Sequence, residues 1–595
     1  MWGMTDAPAS AAATESPRIS ARLDDSDPPW PRRPWIMAAI GAVAGLLFHL
    51  VVDRPHVAEP APLLDALAAF IAVATVVFLL GVERRRWHWA AGFAILWGAI
   101  IGLITWHSAG NNLHGSPFEW PFWSGILAVL VATPLFQTRR DVARDWRFWK
   151  LWDMPYDRLH SHAWGDAVIG AAALVDVGVN FLLVMLIGQM FHLIGIDLIQ
   201  NLLNDEWFGW MLAGAAFGSA VGLLRERDKL VATLQRLVMI ILSVLAPVLA
   251  AALVIFLLSL AGTGLGKLWA SGFSTAALMM AAAAFAVLLA NAAIGNGREE
   301  RSGNRLLHGA AAVLVVAVLP LAVIAFYSMH LRVIQYGWTP ERIWGVLAAL
   351  IALAYGAIGV WSVVRGRKDF DDMLRPLQQK LAIGLMLLAA FLALPILDFG
   401  AISTRDQVAR LTSGAVKAEK FDWAAMAFDF GPSGRTVLRD LAKSPDRERA
   451  RLAAWALKAK DRWDLNVAGD NPEAGELTFA AKPIEEKIRV LPAALTLEPA
   501  LYKLLEVGDQ CRTSPCAAYA IADDRIAVVG SGKYVKLYVR NAKSGEWSED
   551  YNAFSPANGP DALTEDELQH GAIEVRRVER RQIFVNGKPT GGLFE

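Results

Sequence analysis

Apolar residues in this chain come in long, nearly unbroken runs, not in the short alternations that mark soluble helices and strands. A bilayer core needs roughly 20 apolar residues as helix. Eleven runs are read as spans: Trp35–Val52, Leu63–Val82, Trp87–Trp106, Trp120–Phe136, Ala167–Met190, Phe208–Leu224, Leu237–Leu260, Phe273–Ile294, Leu306–Phe326, Ile343–Val364 and Leu381–Leu397. The fourth is short and needs a tilted neighbour, a thinned bilayer or interfacial help. Pro247 falls inside the seventh, where the missing N–H predicts a kink. The pattern changes after Leu397. The expected architecture is therefore an all-α polytopic membrane bundle of about 11 transmembrane helices, followed by a soluble α+β domain with helices first and a small antiparallel sheet after them.

Charge between the runs gives an orientation. Basic residues gather in the N-terminal tail (Arg18, Arg22, Arg32, Arg33) and in alternate loops. These loops hold Arg84–Arg86; Arg139, Arg140, Arg144, Arg147, Lys150 and Arg158; Arg225, Arg227, Lys229 and Arg236; Arg298, Arg301 and Arg305; and Arg365, Arg367, Lys368, Arg375 and Lys380. The loops between them carry only Arg54, Lys267, Arg332 and Arg342. By the positive-inside rule the N-terminus is cytoplasmic, and an odd number of spans puts everything after Leu397 outside. The expected division is a disordered cytoplasmic tail over 1–34, a transmembrane domain over 35–397 and an extracytoplasmic domain over 398–595.

Composition agrees. Of 595 residues 55% are hydrophobic and only 19% are charged, against about a quarter charged in soluble proteins. Lys plus Arg and Asp plus Glu both number 57, so no basic field points to nucleic acid. The tail is rich in Ala, Ser, Pro and Asp and lacks the apolar core and cleavage site of a signal peptide. The two cysteines, Cys511 and Cys516, lie in the region assigned outside, in CRTSPC. A disulfide is expected there on compartment grounds, the alternative being two buried thiols. A zinc site is not expected, because there is neither a second pair nor clustered His.

In the outer region Ser403 with Asp406 resembles a capping box for a short helix stopped by Gly414. Ser444–Pro445–Asp446 reads as N-cap, N1-proline and acidic first turn of a helix to about Lys460. The period then shortens: Ala517–Ile521, Arg525–Val529, Lys533–Arg540, Ile573–Val578 and Gln582–Val585 are strand-like, and Asn586–Gly587 is a tight-turn pair.

Candidate chemistry is sparse. Asp176 and Asn180 sit one turn apart on the fifth span and share a face. Asp176 lies about 15 Å of helix beyond Asp166, near mid-bilayer, where a carboxylate is costly and a functional candidate by default. The bland alternative is an interhelical hydrogen bond. His160 and His162, with Asp153 and Asp157, could be drawn as a metal site, but their spacing matches no ligand signature. Trp146, Trp149 and Trp152 recur every three residues. Together with Trp164 they are read as interfacial anchors of an amphipathic surface helix over Asp145–Trp164. A second interfacial segment is expected over Asp197–Asp205. Thr339–Pro340–Glu341 is an N-cap followed by an N1-proline. GTGLGKLW (Gly262–Trp269) lacks the ending of a P-loop. No catalytic constellation, metal site or cofactor motif stands out.

Three stretches resemble the bacterial membrane family named only as domain-of-unknown-function 4153. They are YDRLHSHAWGDA leading to FHLIGIDL, then HLRVIQYGWTPERIWG (His330–Gly345), then ISTRDQVARLTSGAVKAEKFDWAAMAFDFGPSGR (Ile402–Arg435). The resemblance implies a bacterial polytopic inner-membrane protein and carries no catalytic residues with it. Three functions are weighed. The first is a non-enzymatic envelope protein that presents a domain able to bind an envelope protein or glycan. The second is a transporter or lipid-handling protein working through Asp176 and Asn180. The third, with least support, is an enzyme on a lipid-linked substrate. The lipid bilayer is the one expected partner common to all three.

Overall fold

The computed structural model of the chain describes residues 29–53, 61–109, 116–142, 154–269, 274–297, 304–459, 462, 465, 482–492, 495–507, 511, 515–529, 535–541, 544–550, 581–585 and 588–594. Two compact units emerge, Met1–Phe399 and Gly400–Glu595.

The first unit is helical. Its elements are α1 Arg33–Val52, α2 Pro62–Gly81, α3 Trp87–Ala109, α4 Ser116–Val142, α5 Tyr156–Leu193, α6 Leu198–Asn204 and α7 Glu206–Arg225. They are followed by α8 Asp228–Thr263, α9 Gly266–Trp269, α10 Thr275–Ile294, α11 Arg305–Tyr336, α12 Pro340–Gly366 and α13 Phe370–Ala393. Among the described residues ten stretches are long and apolar enough to cross a membrane. The last, Pro340–Ala393, is 54 residues long and contains both α12 and α13, joined by a 3-10 turn at Arg367–Asp369. The eleven expected runs thus fall on ten stretches, and the chain is a multi-pass membrane protein.

Several helices outrun their apolar runs. The fourth, expected to be short, has 27 residues because Gln137–Val142 continue it. The fifth runs for 38 residues from Tyr156. That corrects the surface helix expected over Asp145–Trp164: from Tyr156 onward those residues are the first turns of α5, with His160 and His162 buried. His162 and Asp166 pair with Asp141 and Gln137 of α4, so the helix has no reason to end where the apolar run does. Trp146, Trp149 and Trp152 lie outside the described residues, and Trp164 is half-buried within α5.

Packing sorts the helices into two groups. Met37, Leu79, Phe136, Ile169 and Val221 join α1, α2, α4, α5 and α7 around one core. Ala250, Ala286, Leu314 and Ala349 join α8, α10, α11 and α12 around another. α13 reaches both groups: Phe370 and Leu374 enter the second core, while Ala389 and Ala393 pack with α3 and α4 in a third cluster.

The tightest seam is between α1 and α7. A methyl group added at Gly41 would collide with the carbonyl of Gly214, and one at Gly214 with the carbonyl of Gly41. A Cβ at Gly45 would likewise strike the Trp210 carbonyl, one at Gly218 that of Met37, and one at Gly222 would lie 2.7 Å from the Cα of Pro34. The partners descend on one helix as they ascend on the other, so the two run antiparallel. Small residues every fourth position let the backbones touch, which is how helices associate where no water drives them together.

The second unit opens with α14 Phe399–Thr412, continues through a 3-10 turn at Ala418–Lys420 and a π turn at Ala425–Asp429, and then forms α15 Gly431–Leu441 and α16 Arg447–Lys458. Ser403 lies inside α14 and is fully buried, so the expected capping box is absent; the helix already begins at Phe399. The expected cap at Ser444 moves to Asp446, whose carboxylate accepts from the N–H groups of Glu448 and Arg449. Trp423, Met426, Phe430 and Leu438 fill this helical core.

A second core lies under a five-stranded sheet in sequence order: β1 Ile488–Leu491, β2 Cys516–Ala522, β3 Arg525–Val529, β4 Val535–Arg540 and β5 Trp547–Glu549. β1 pairs with β2 in parallel, whereas the other pairs are antiparallel, so the sheet is mixed and not the antiparallel one expected. The physical reason is the helix α17 Pro499–Val507 between β1 and β2, long enough to carry the chain back to the starting edge. β6 Arg581–Val585 and β7 Lys588–Phe594 form a separate antiparallel pair. The expected strand Ile573–Val578 and the Asn586–Gly587 turn lie outside the described residues.

Candidate functional site

The polar interior of the helical unit is concentrated at the C-terminal end of α2. A helix leaves its last four carbonyls without intrahelical partners and carries partial negative charge there. In α2 this end is buried, and side chains from three other helices serve it. The Leu80 carbonyl accepts from Gln137 Nε2 at 3.0 Å and from Arg225. The Gly81 carbonyl accepts from Arg140, and the Val82 carbonyl from Arg33 at 2.6 Å. Arg33 is 2% exposed and Arg140 is wholly buried, which only paired charges can sustain. Glu83 and Asp141 are ion-paired to Arg140, the latter at 3.0 Å, and Glu226 faces Arg33 at 3.5 Å.

The first turns of α5 close the arrangement. His162 Nε2 lies 2.7 Å from Asp141 Oδ2, and Gln137, having reached Leu80, also donates to Asp166 Oδ1 at 3.0 Å. Two residues before His162, on another face of α5, the surroundings change. Neither ring nitrogen of the buried His160 has a hydrogen-bond partner among the described residues. The ring lies between those of Tyr156 and Trp164, with centroids 5.7 and 6.3 Å away.

The same device recurs at two other helix ends. Arg375 of α13 donates to the carbonyls of Ile294 at 2.8 Å and Gly295 at 3.4 Å, capping α10, while Asp371 and Asp372 balance its charge. Arg342 of α12 donates to the carbonyls of Tyr336 and Gly337 at 3.1 and 2.8 Å, capping α11. Thr339 accepts from the Arg342 N–H at 3.4 Å, with Pro340 opening α12 as its sequence implies.

Of the residues singled out in the sequence, His162 joins this cluster, whereas Asp176 and Asn180 do not. Asp176 and Asn180 are half-buried, and Asn180 Nδ2 donates to the Asp176 carboxylate and to its carbonyl, each at 2.9 Å. The pair closes on itself within one helix. Around it Leu174, Val175, Val179, Leu182 and Leu183 are exposed on a helix whose only buried residue beyond Ala173 is Gly188. Cys511 and Cys516 are joined in a disulfide in the second unit. Among the described residues no group of three His, Cys, Asp or Glu is placed to hold a metal ion.

Sequence reasoning missed the caps on α2 and α10 because it treated Arg33, Arg140, Arg225 and Arg375 as tail and loop charges. A signal was available: each of these basic clusters contains an acid (Glu83, Asp141, Glu226, Asp371) that a solvated loop would not need. Gln137–Asp141 also follow an apolar run with no glycine or proline to end the helix.

A family model described as "Domain of unknown function (DUF4153)" matches residues 37–429. No curated protein and no solved structure matches the chain. The matched region covers every helix end just described except Arg33, and it extends into the second unit as far as the π turn at Asp429.

Proposed function

The chain belongs to the DUF4153 family, and from that premise we propose that it is a non-enzymatic membrane anchor that presents its second unit on the extracytoplasmic face of a bacterial inner membrane. There the unit binds an envelope protein or glycan. The observation that carries this reading is the character of Gly400–Glu595: it has helical and sheet cores of its own and a disulfide between Cys511 and Cys516. Disulfides persist in oxidising compartments, and the alternation of basic loops assigns the same side to this unit. In the first unit, the buried charges serve helix ends (Arg140, Arg33, Arg375), which suits a rigid support. The transport reading asks more of Asp176 than a carboxylate already hydrogen-bonded to Asn180 supplies.

The test uses the full chain in spheroplasts and a membrane-impermeant thiol reagent. Cys511 and Cys516 are buried as well as bonded, so the reporter is Ile521→Cys, at an exposed position, which is expected to react from outside. Labelling only after the membrane is broken would place the unit in the cytoplasm and remove the proposal's basis. A photo-crosslinking residue in place of the exposed Ile521 should then give one discrete envelope adduct in cells.

A further inference from the structure

Between α8 and α11 lies an open apolar groove of about 520 Å³. Pro247, Ala250 and Val254 form one wall; Gly309 and Val313 form the other. Small side chains set its depth, and Val254, Ile255 and Leu306 are exposed along its rim, so it opens sideways where lipid would surround the helix. One lining residue is polar: Arg305, exposed, in the first turn of α11. Its guanidinium has no ion-pair or hydrogen-bond partner among the described residues, unlike the arginines that cap helix ends. It lies in a basic loop, on the side that the charge pattern assigns to the cytoplasm.

We propose that this groove binds an anionic phospholipid, with one acyl chain along Pro247–Val254 and Gly309–Val313 and the phosphate paired with Arg305. An apolar slot open to the bilayer takes a chain from any lipid. A cation at its mouth with no partner among the described residues selects among headgroups, since an anionic headgroup brings a net charge and a zwitterionic one brings its own cation. A basic side chain near the membrane surface should favour the anionic lipid about fivefold. The first turn of α11 adds favourable partial positive charge, although Asn304 already accepts from the Leu306 N–H.

Gly309 gives a direct way to block the groove. A Cβ there meets nothing within 4 Å, so Gly309→Leu fills the slot without striking the backbone. Gly178 on α5 is likewise open and serves as a control away from the groove. The full chain is reconstituted in nanodiscs of equal phosphatidylglycerol and phosphatidylcholine, released, and its retained lipids are read by native mass spectrometry. The wild-type chain and Gly178→Leu should retain phosphatidylglycerol preferentially. Arg305→Gln should lose that preference about fivefold while still holding a lipid, and Gly309→Leu should lose the bound lipid. Equal retention of both headgroups by the wild-type chain, or an unchanged preference in Arg305→Gln, would overturn the proposal; so would equal loss in Gly309→Leu and Gly178→Leu. Arg305 is exposed, so its variant remains informative even where Gly309→Leu does not fold.

Discussion

The α1–α7 seam and the capped end of α2 hold neighbouring helices together by opposite means. At the seam there is no side chain to speak of: Gly41 and Gly214 bring two backbones into contact, and the stabilisation is dispersion over a close approach. At the cap there is almost nothing but side chain. Arg33, Gln137, Arg140 and Arg225 reach across from α1, α4 and α7 to carbonyls that would otherwise be unsatisfied, and Glu83, Asp141 and Glu226 balance them. The first arrangement tolerates no added atom. The second tolerates no missing one, because each group removed leaves another buried and unpaired.

This contrast ranks the expected effects of substitution. Gly214→Leu should do the most damage, beyond the ~1–3 kcal/mol of ordinary overpacking, because the obstacle is a backbone carbonyl that cannot rotate away. The measurement is monodispersity of the detergent-extracted chain, and a well-folded variant would mean that the two helices are not in register as described. Arg140→Leu comes next, at about 3–5 kcal/mol, read from denaturant titration in mixed micelles. Arg140→Lys should recover part of the loss, since a single ammonium keeps the charge but cannot serve the Gly81 carbonyl, Glu83 and Asp141 in one fork. If Leu and Lys behave alike, the charge has no role there. Asp176→Asn should have the smallest effect, within about 0.6 kcal/mol, because an amide oxygen can accept the Asn180 hydrogen bond equally well. A loss comparable to that of Arg140→Leu would reveal a demand on the carboxylate that Asn180 does not meet.

The same contrast explains what could be read from the residues. Apolar runs report membrane helices directly, since each must satisfy its own backbone in lipid, and so the membrane-crossing runs were legible, the eleven that were read falling on ten stretches. Helix ends were not. α4, α5 and α13 continue into polar residues because Gln137, Arg140, His162 and Arg375 find partners on other helices, and a single chain's sequence does not say which helices will be neighbours. Asp176 drew attention because a carboxylate at mid-span looks costly, whereas the larger buried charge assembly was concealed in loops that read as ordinary basic clusters. In the second unit Arg525–Val529 was placed to the residue, as alternation permits. The parallel pairing of β1 depended on the intervening helix and was not.

α13 has a mechanical consequence. Its opening turns are embedded in one helix group through Phe370 and Leu374, and its closing turns in the other through Ala389 and Ala393. α13 thus forms a strut across the joint between the groups, with Pro376 inside it as the place where it bends most readily. Sliding or rocking of one group against the other, the motion from which alternating access is built, would have to bend this strut or pull Arg375 off the end of α10. Relative motion of the groups would therefore concentrate at Pro376 and at the Arg375 contacts beside it.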